Sequence, residues 1–285
     1  MFKRIIANIE AMCSKKSTRE IGYKNRSFQD IIDQNYHIMN PEQRLIPDIA
    51  KKYCNKGNSF LELGCGAGRN LECLRQHGYK KLYGVDASKE AINVSKHYFP
   101  ELAKIAQLKS GFIQNISENN KFDVIYSVAV LQHILSDIEP VFYKISRIAK
   151  KFIITIEFDF YAQKRKNHKF KLNPKERIPR DYNKIFSNLG FRQMEVFGCW
   201  EIPIKLNAIS TKFTPNKQSM LNELRNFIIK NKRCPTAGES NNGLFKNNVN
   251  AYEKQFGSWL SALEASGIEK PYSGHTYTVR IFQKK

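Results

Sequence analysis

The sequence predicts an α/β fold, a doubly wound and mostly parallel sheet of seven strands with a helical insertion between the last two. Three observations carry that expectation. Short β-type runs alternate with helical patterns through the first 160 residues, a glycine-rich turn follows the first of those runs, and roughly 75 residues of mainly helical pattern separate the sixth run from a closing alternating segment.

Taken in order, the β-type runs are SFLELGC (Ser59 to Cys65), KLYGVD (Lys81 to Asp86), GFIQNI (Gly111 to Ile116), FDVIYSV (Phe122 to Val128) and KFIITIEF (Lys151 to Phe158). Between them NLECLRQHG, SKEAINVSKHYF and EPVFYKISRIAK place apolar residues at steps of three and four, the period of a helix packed on one face. Gly78 punctuates the first of these helices, Ser88 can cap the second, and Pro100 closes it. A helix DYNKIFSNLG and a sixth strand FRQMEVFGCW (Phe191 to Trp200) follow, and YTVRIFQKK alternates like a strand at the C-terminus. The intervening KQSMLNELRNFIIKNK and NAYEKQFGSWLSALEAS read as two helices around a loop with Pro235, Gly238 and Gly243. The expected organisation is an N-terminal helical cap over 1–45, a core over 46–200, a helical insertion over 201–274 that can cover an acceptor site, and a final core strand over 275–285. Trp200 and Trp259 are expected in cores.

Of the 285 residues 41% are hydrophobic, enough for a real core, so disorder of the whole chain is excluded. No run of about 18 uncharged apolar residues occurs, which argues against a membrane span. The N-terminal MFKRIIANIEAMCSKK is interrupted by Asn8 and Glu10 and reads as an amphipathic helix, not a signal peptide. Six cysteines, with no CxxC pair and no zinc spacing, point to reduced thiols, a cytoplasmic protein and no metal site. The net charge of +21 is uneven: 24 basic and 17 acidic residues precede position 161, against 23 and 9 after it. Eight of the basic residues lie in KRKNHKFKLNPKERIPR (Lys164 to Arg180), either a segment that attracts a polyanion or a solvated loop.

The chemistry concentrates in FLELGCGAGRN (Phe60 to Asn70), where Gly64, Gly66 and Gly68 let the backbone turn sharply and approach a ligand. Asp86 ends the second run 18 residues beyond Gly68, where a carboxylate can take both hydroxyls of a ribose. A dinucleotide fingerprint would want glycine at position 69, which is Arg69, so an NAD-dependent oxidoreductase is disfavoured. The series E-x-G-x-G-x-G resembles instead the first motif of the class I S-adenosylmethionine-dependent methyltransferases, with their Rossmann-like fold, over roughly Ile46 to Phe158.

That resemblance implies S-adenosylmethionine as cofactor. Glu62 would orient the glycine turn or the methionine amino group, and Leu63, Gly64, Cys65, Gly66, Gly68 and Asn70 would form its cradle. Asp86 would bind the ribose with Ala87 beside the adenine, Asn115 and Ile116 would touch the adenine, and Ser127 and Val128 would flank the methionine portion. VLQHI (Val130 to Ile134) is similar to a V-L-x-H-[IL] run in members acting on small molecules; it makes His133 a candidate general base and Gln132 a candidate substrate contact, with Tyr36 and His37 over the crevice. The weighed alternative for His133, Tyr36 and His37 is plain packing.

Residues 126–129 read Tyr-Ser-Val-Ala, not the [DNS]-P-P-[YFW] of enzymes acting on exocyclic base amines; the Pro-Cys of cytosine C5 enzymes and the double-Glu loop of protein arginine enzymes are also missing. The expected acceptor is therefore an O or N atom of a small molecule. RNA held by Lys164 to Arg180 is the alternative, and a non-catalytic scaffold subunit is the reading from another class.

Overall fold

A computed structural model describes residues 24–33, 41–134, 138–159, 178–199, 206–210, 212–231, 234–235, 240–268 and 277–285. Seven strands, β1 (Ser59–Leu63), β2 (Lys81–Asp86), β3 (Gln107–Ser110), β4 (Phe122–Val128), β5 (Ala149–Glu157), β6 (Phe191–Gly198) and β7 (Thr278–Lys284), form one sheet in the order β3-β2-β1-β4-β5-β7-β6. The first five run parallel, and β7 is antiparallel to both β5 and β6. The expected mostly parallel, doubly wound sheet is what the chain forms.

Its central strands follow from composition. β1 is buried at every position and β5 at all but Lys150 and Lys151, as strands covered on both faces must be. Helix α1 (Phe28–Asp33) and helix α2 (Leu45–Tyr53) precede β1. Helix α3 (Arg69–Gln76) links β1 to β2, while α4 (Lys89–Tyr98) and α5 (Pro100–Ile105) link β2 to β3. Ser88 caps α4 through its hydroxyl, which accepts from the Ala91 N–H at 3.1 Å, as its position suggested. Helix α6 (Glu139–Ile148) turns Val141, Phe142, Ile145 and Ile148 inward, and helix α7 (Tyr182–Asn188) adds Tyr182 and Phe186. These meet Leu61, Leu63, Ile125, Ile153 and Phe282 in one apolar cluster.

The third strand differs from expectation. It lies at Gln107–Ser110, and the GFIQNI run is instead a turn around Ile113–Asn115. As a sheet-edge strand with mostly exposed residues, QLKS has no apolar alternation to read, whereas Phe112 and Ile113 are apolar because they are buried after it.

By internal contacts the chain divides into two compact units, Met1–His37 with Tyr53–Gly198 and Tyr277–Lys285, and Ile38–Lys52 with Cys199–Thr276. The second unit has its own core, in which Met220, Leu224 and Ile228 of α8 (Pro215–Asn231) pack with Val249, Tyr252, Trp259 and Leu263. The run read as a single C-terminal helix is two, α9 (Val249–Phe256) and α10 (Trp259–Ala265). Gly257, at φ +85°, ends the first, and the Ser258 hydroxyl caps the second by accepting from the Ser261 N–H at 2.9 Å. Trp259 is fully buried, as expected of a core residue; Trp200 lies outside the described residues.

Among the described residues no helix is long and apolar enough to cross a membrane. Among the described residues, Cys54, Cys65, Cys73, Cys199 and Cys234 form no disulfide with one another.

Candidate functional site

Strand order reverses between the parallel neighbours β1 and β4: β2 and β3 step away on one side of β1 while β4 and β5 lie on the other. In a sheet wound this way the crevice opens at the carboxyl ends of the strands flanking that switch. Two turns meet there.

The first follows β1. Gly64, Gly66 and Gly68 all have positive φ, at 67°, 53° and 84°. The N–H groups of Gly64 and Cys65 both donate to the Val85 carbonyl, at 2.8 and 3.0 Å, which hooks the turn to the end of β2. Asp86 completes the hook: one carboxylate oxygen accepts from the Gly66 N–H at 2.7 Å and the other from the Ser88 N–H at 2.8 Å. Burial pushes the Asp86 carboxyl above the usual carboxylate range, and the N–H groups of Ser88 and Gly66 pull against that. A side chain at Gly64 would be strained by φ 67° and would force Val130 to shift, because a Cβ there would stand 2.5 Å from Cγ2 of Val130.

Behind this turn Glu62 is buried in β1. Its oxygens accept from Asn70 Nδ2 at 2.5 Å and from the Tyr126 hydroxyl at 3.1 Å. Burial drives its carboxyl up to about 8 despite both hydrogen bonds. Glu62 thus braces β1 against α3 and β4. Asn70 Oδ1 is buried with no hydrogen-bond partner, an acceptor beside the turn.

The second turn follows β4. Ala129 adopts φ 56°, the only non-glycine residue at positive φ among those described. The chain then coils through Leu131–His133 in a single tight turn. Glu157, fully buried at the end of β5, accepts from the N–H groups of Val130 and Leu131 with one oxygen, both at 3.0 Å, and from Gln132 N–H with the other at 3.2 Å. Burial raises its carboxyl, against the pull of these same N–H groups. From the other side Arg180 donates to the carbonyls of Leu131, at 2.8 Å, and Ile134. The Gln132 amide oxygen accepts from Phe158 N–H at 2.7 Å, and its amide nitrogen lies 3.2 Å from Nε2 of His133.

The expected site residues are therefore placed as follows. Leu63 is buried at the end of β1 and Cys65 in the first turn, and burial raises the Cys65 thiol well above its ordinary value. Ala87 is half-buried next to Asp86. Ser127 is buried and Val128 half-buried at the end of β4. Asn115 is exposed and Ile116 half-buried at the end of the turn after β3. Gln132 is fully buried with its amide engaged, and His133 is half-buried. Tyr36, His37 and residues 164–177 lie outside the described residues. Arg180, counted in the basic segment, is buried on backbone carbonyls and not solvent-facing. Glu157 and Arg180 are the functional candidates that the sequence reading did not single out.

Open turn geometry, an unpartnered buried acceptor at Asn70 and a carboxylate at the end of β2 suit a polar ligand with a ribose, so these residues fit S-adenosylmethionine. No group of three or more His, Cys, Asp or Glu among the described residues is arranged for a metal ion.

Comparison with known proteins agrees with this geometry. Residues 61–152 match the family described as a methyltransferase domain. A ubiquinone biosynthesis O-methyltransferase of Coxiella burnetii is 28% identical over 99 residues, 34% of this chain and 41% of that protein. A tRNA U34 carboxymethyltransferase of Pseudoalteromonas translucida is 31% identical over 99 residues, 34% of this chain and 29% of that one. The match thus spans less than half the length of either relative. A crystal structure of the 4+2 cyclase SpnF superposes with a TM-score of 0.50 at 13% identity, covering 85% of this chain and 80% of that one, a likeness of fold alone.

Proposed function

We propose that the chain, whose residues 61–152 match a methyltransferase domain, is a class I S-adenosylmethionine-dependent enzyme that transfers a methyl group to an oxygen or nitrogen atom of a small-molecule acceptor. The observation that carries the reading is the meeting, at the sheet's switch point, of a glycine turn tied to Asp86 with a turn bearing a histidine.

S-adenosylmethionine, when bound, supplies a methyl group on a sulfonium that is already electrophilic. What the protein adds is placement, worth about 7 to 11 kcal/mol of a barrier when two reactants are held in line. In this reading Asp86 takes the ribose hydroxyls with the lone pairs its two backbone N–H partners leave free. The glycine turn gives the close backbone approach, and Asn70 offers its unpartnered oxygen to the amino group. Glu62 acts one step back, holding Asn70 and Tyr126. His133 takes the proton that an acceptor hydroxyl or amine must lose, at Nε2 once the acceptor displaces the Gln132 amide from that nitrogen.

Labelled methyl transfer tests the proposal. Incubated with methyl-labelled S-adenosylmethionine and a panel of phenols, catechols and amines, the chain should label at least one acceptor, and His133→Ala should slow the transfer by about 100-fold or more. Label entering RNA and no small molecule would replace the acceptor class. That second reading has two supports, the net charge of +21 and the tRNA-modifying relative. It requires RNA binding that weakens steeply with salt.

A further inference from the structure

We infer that Glu157 and Arg180 are positioning residues, a buried pair of opposite charge that fixes the turn after β4 against the glycine turn. The inference rests on the proposed methyl transfer for its purpose and on geometry for its content.

The backbone of residues 130–134 is nearly all spoken for, and by these two side chains above all. Glu157 takes the N–H groups of Val130, Leu131 and Gln132. Arg180 takes the carbonyls of Leu131 and Ile134, and the Gln132 carbonyl accepts from Ile178 N–H at 2.8 Å. The N–H groups of His133 and Ile134 close the turn on Val130 and Leu131 at 2.9 and 3.3 Å. A carboxylate therefore binds the donors and a guanidinium the acceptors of the same short segment.

Two features show that this arrangement serves more than chain reversal. Ala129 enters the turn at a φ that a non-glycine residue rarely adopts, and such a residue persists only where its surroundings over-determine it. Burying charged side chains to hold one short turn is also costly, since water or shorter polar side chains could satisfy an exposed turn. What the pair fixes is specific: Val130, whose methyl groups close over Gly64, and His133, whose ring neighbours the Gln132 amide. A second buried pair adjoins it, for the Arg280 Nε on β7 donates to Asp159, two residues beyond Glu157, at 2.6 Å. The end of β5 is thereby anchored as well.

Glu157→Gln and Arg180→Lys of the full chain test this, with Asp123→Asn as a control for stability alone. Asp123 binds Ser59 and Lys151 at the amino ends of β1 and β4, far along both strands from the two turns. Each variant is followed by thermal unfolding, calorimetry with S-adenosylhomocysteine, hydrogen exchange of the 130–132 amides, and titration of the His133 ring by NMR. Glu157→Gln should weaken S-adenosylhomocysteine by about tenfold or more, since a charge-assisted contact is lost, speed exchange at 130–132 and shift the His133 titration. Arg180→Lys, which keeps the charge but loses the fork, should do the same more mildly, and Asp123→Asn should lower only the unfolding temperature. Variants that lose stability like the control yet keep wild-type affinity, exchange and His133 titration would overturn the inference. Failure of the wild type itself to bind S-adenosylhomocysteine would fell the methyl-transfer reading instead. The amide exchange in Glu157→Gln would still decide the clamp, with faster exchange supporting it and unchanged exchange overturning it.

Discussion

The two turns that meet at the switch point are held by opposite means. The turn after β1 has glycine at every other position, Gly64, Gly66 and Gly68, and the Val85 carbonyl at the end of β2, with the Asp86 carboxylate, holds it. The turn after β4 is made of ordinary residues, one of them at positive φ, and distant charged side chains hold it. A cofactor that must lie against the backbone calls for the first solution. On the proposed reading, a segment that presents the side chains of Val130 and His133 is held by the second. The general lesson is that glycine lets the chain approach a ligand, whereas buried charge lets it aim residues at one.

The sharpest way to break this contrast is to put a side chain on the first turn. Gly64→Ala combines a strained φ with overpacking against Val130, and should cost about 2 to 5 kcal/mol in chemical denaturation. Adding Val130→Ala should restore part of the loss. No recovery would mean that the two turns are not in contact.

A smaller effect comes from the brace behind the first turn. Folding holds the Glu62 carboxyl up at about 8, so the folded chain keeps a proton that the unfolded chain releases above about pH 4.5. This contribution to stability is full below that lower value and is lost as pH rises through the upper one, a decline of roughly 2 kcal/mol or more. Denaturation curves of Glu62→Gln across this range should be flatter than the wild type; an identical slope would place the titrating group elsewhere. Smaller again, Tyr126→Phe removes one donor to Glu62 and should cost about 1 kcal/mol at pH 6.

Legibility in the sequence divides along the same line. The glycine turn and Asp86 could be read because their physics is local, a tight turn and a carboxylate at a strand end. The central strands were equally plain, since β1 and β4 are apolar runs bounded by turn residues. β3 was misplaced because an exposed edge strand has no apolar pattern, and one helical run proved to be two because Gly257 and Ser258 form a stop and a start side by side. Glu157 gave the same signal as Glu62, a carboxylate inside an apolar strand, and could have been found by it. Arg180 could not. It stands 49 residues from Leu131, within a run of basic residues whose composition suggested solvent or a polyanion, and only the folded chain brings it to those carbonyls.

The central claim is that the glycine turn and Asp86 form the seat of S-adenosylmethionine. Calorimetric titration of the wild type and of Asp86→Ala with S-adenosylhomocysteine tests it most directly. The account predicts saturable binding at one site per chain, weakened at least about tenfold in the variant as charge-assisted contacts are lost. No binding by the wild type, or equal binding by both, would contradict it.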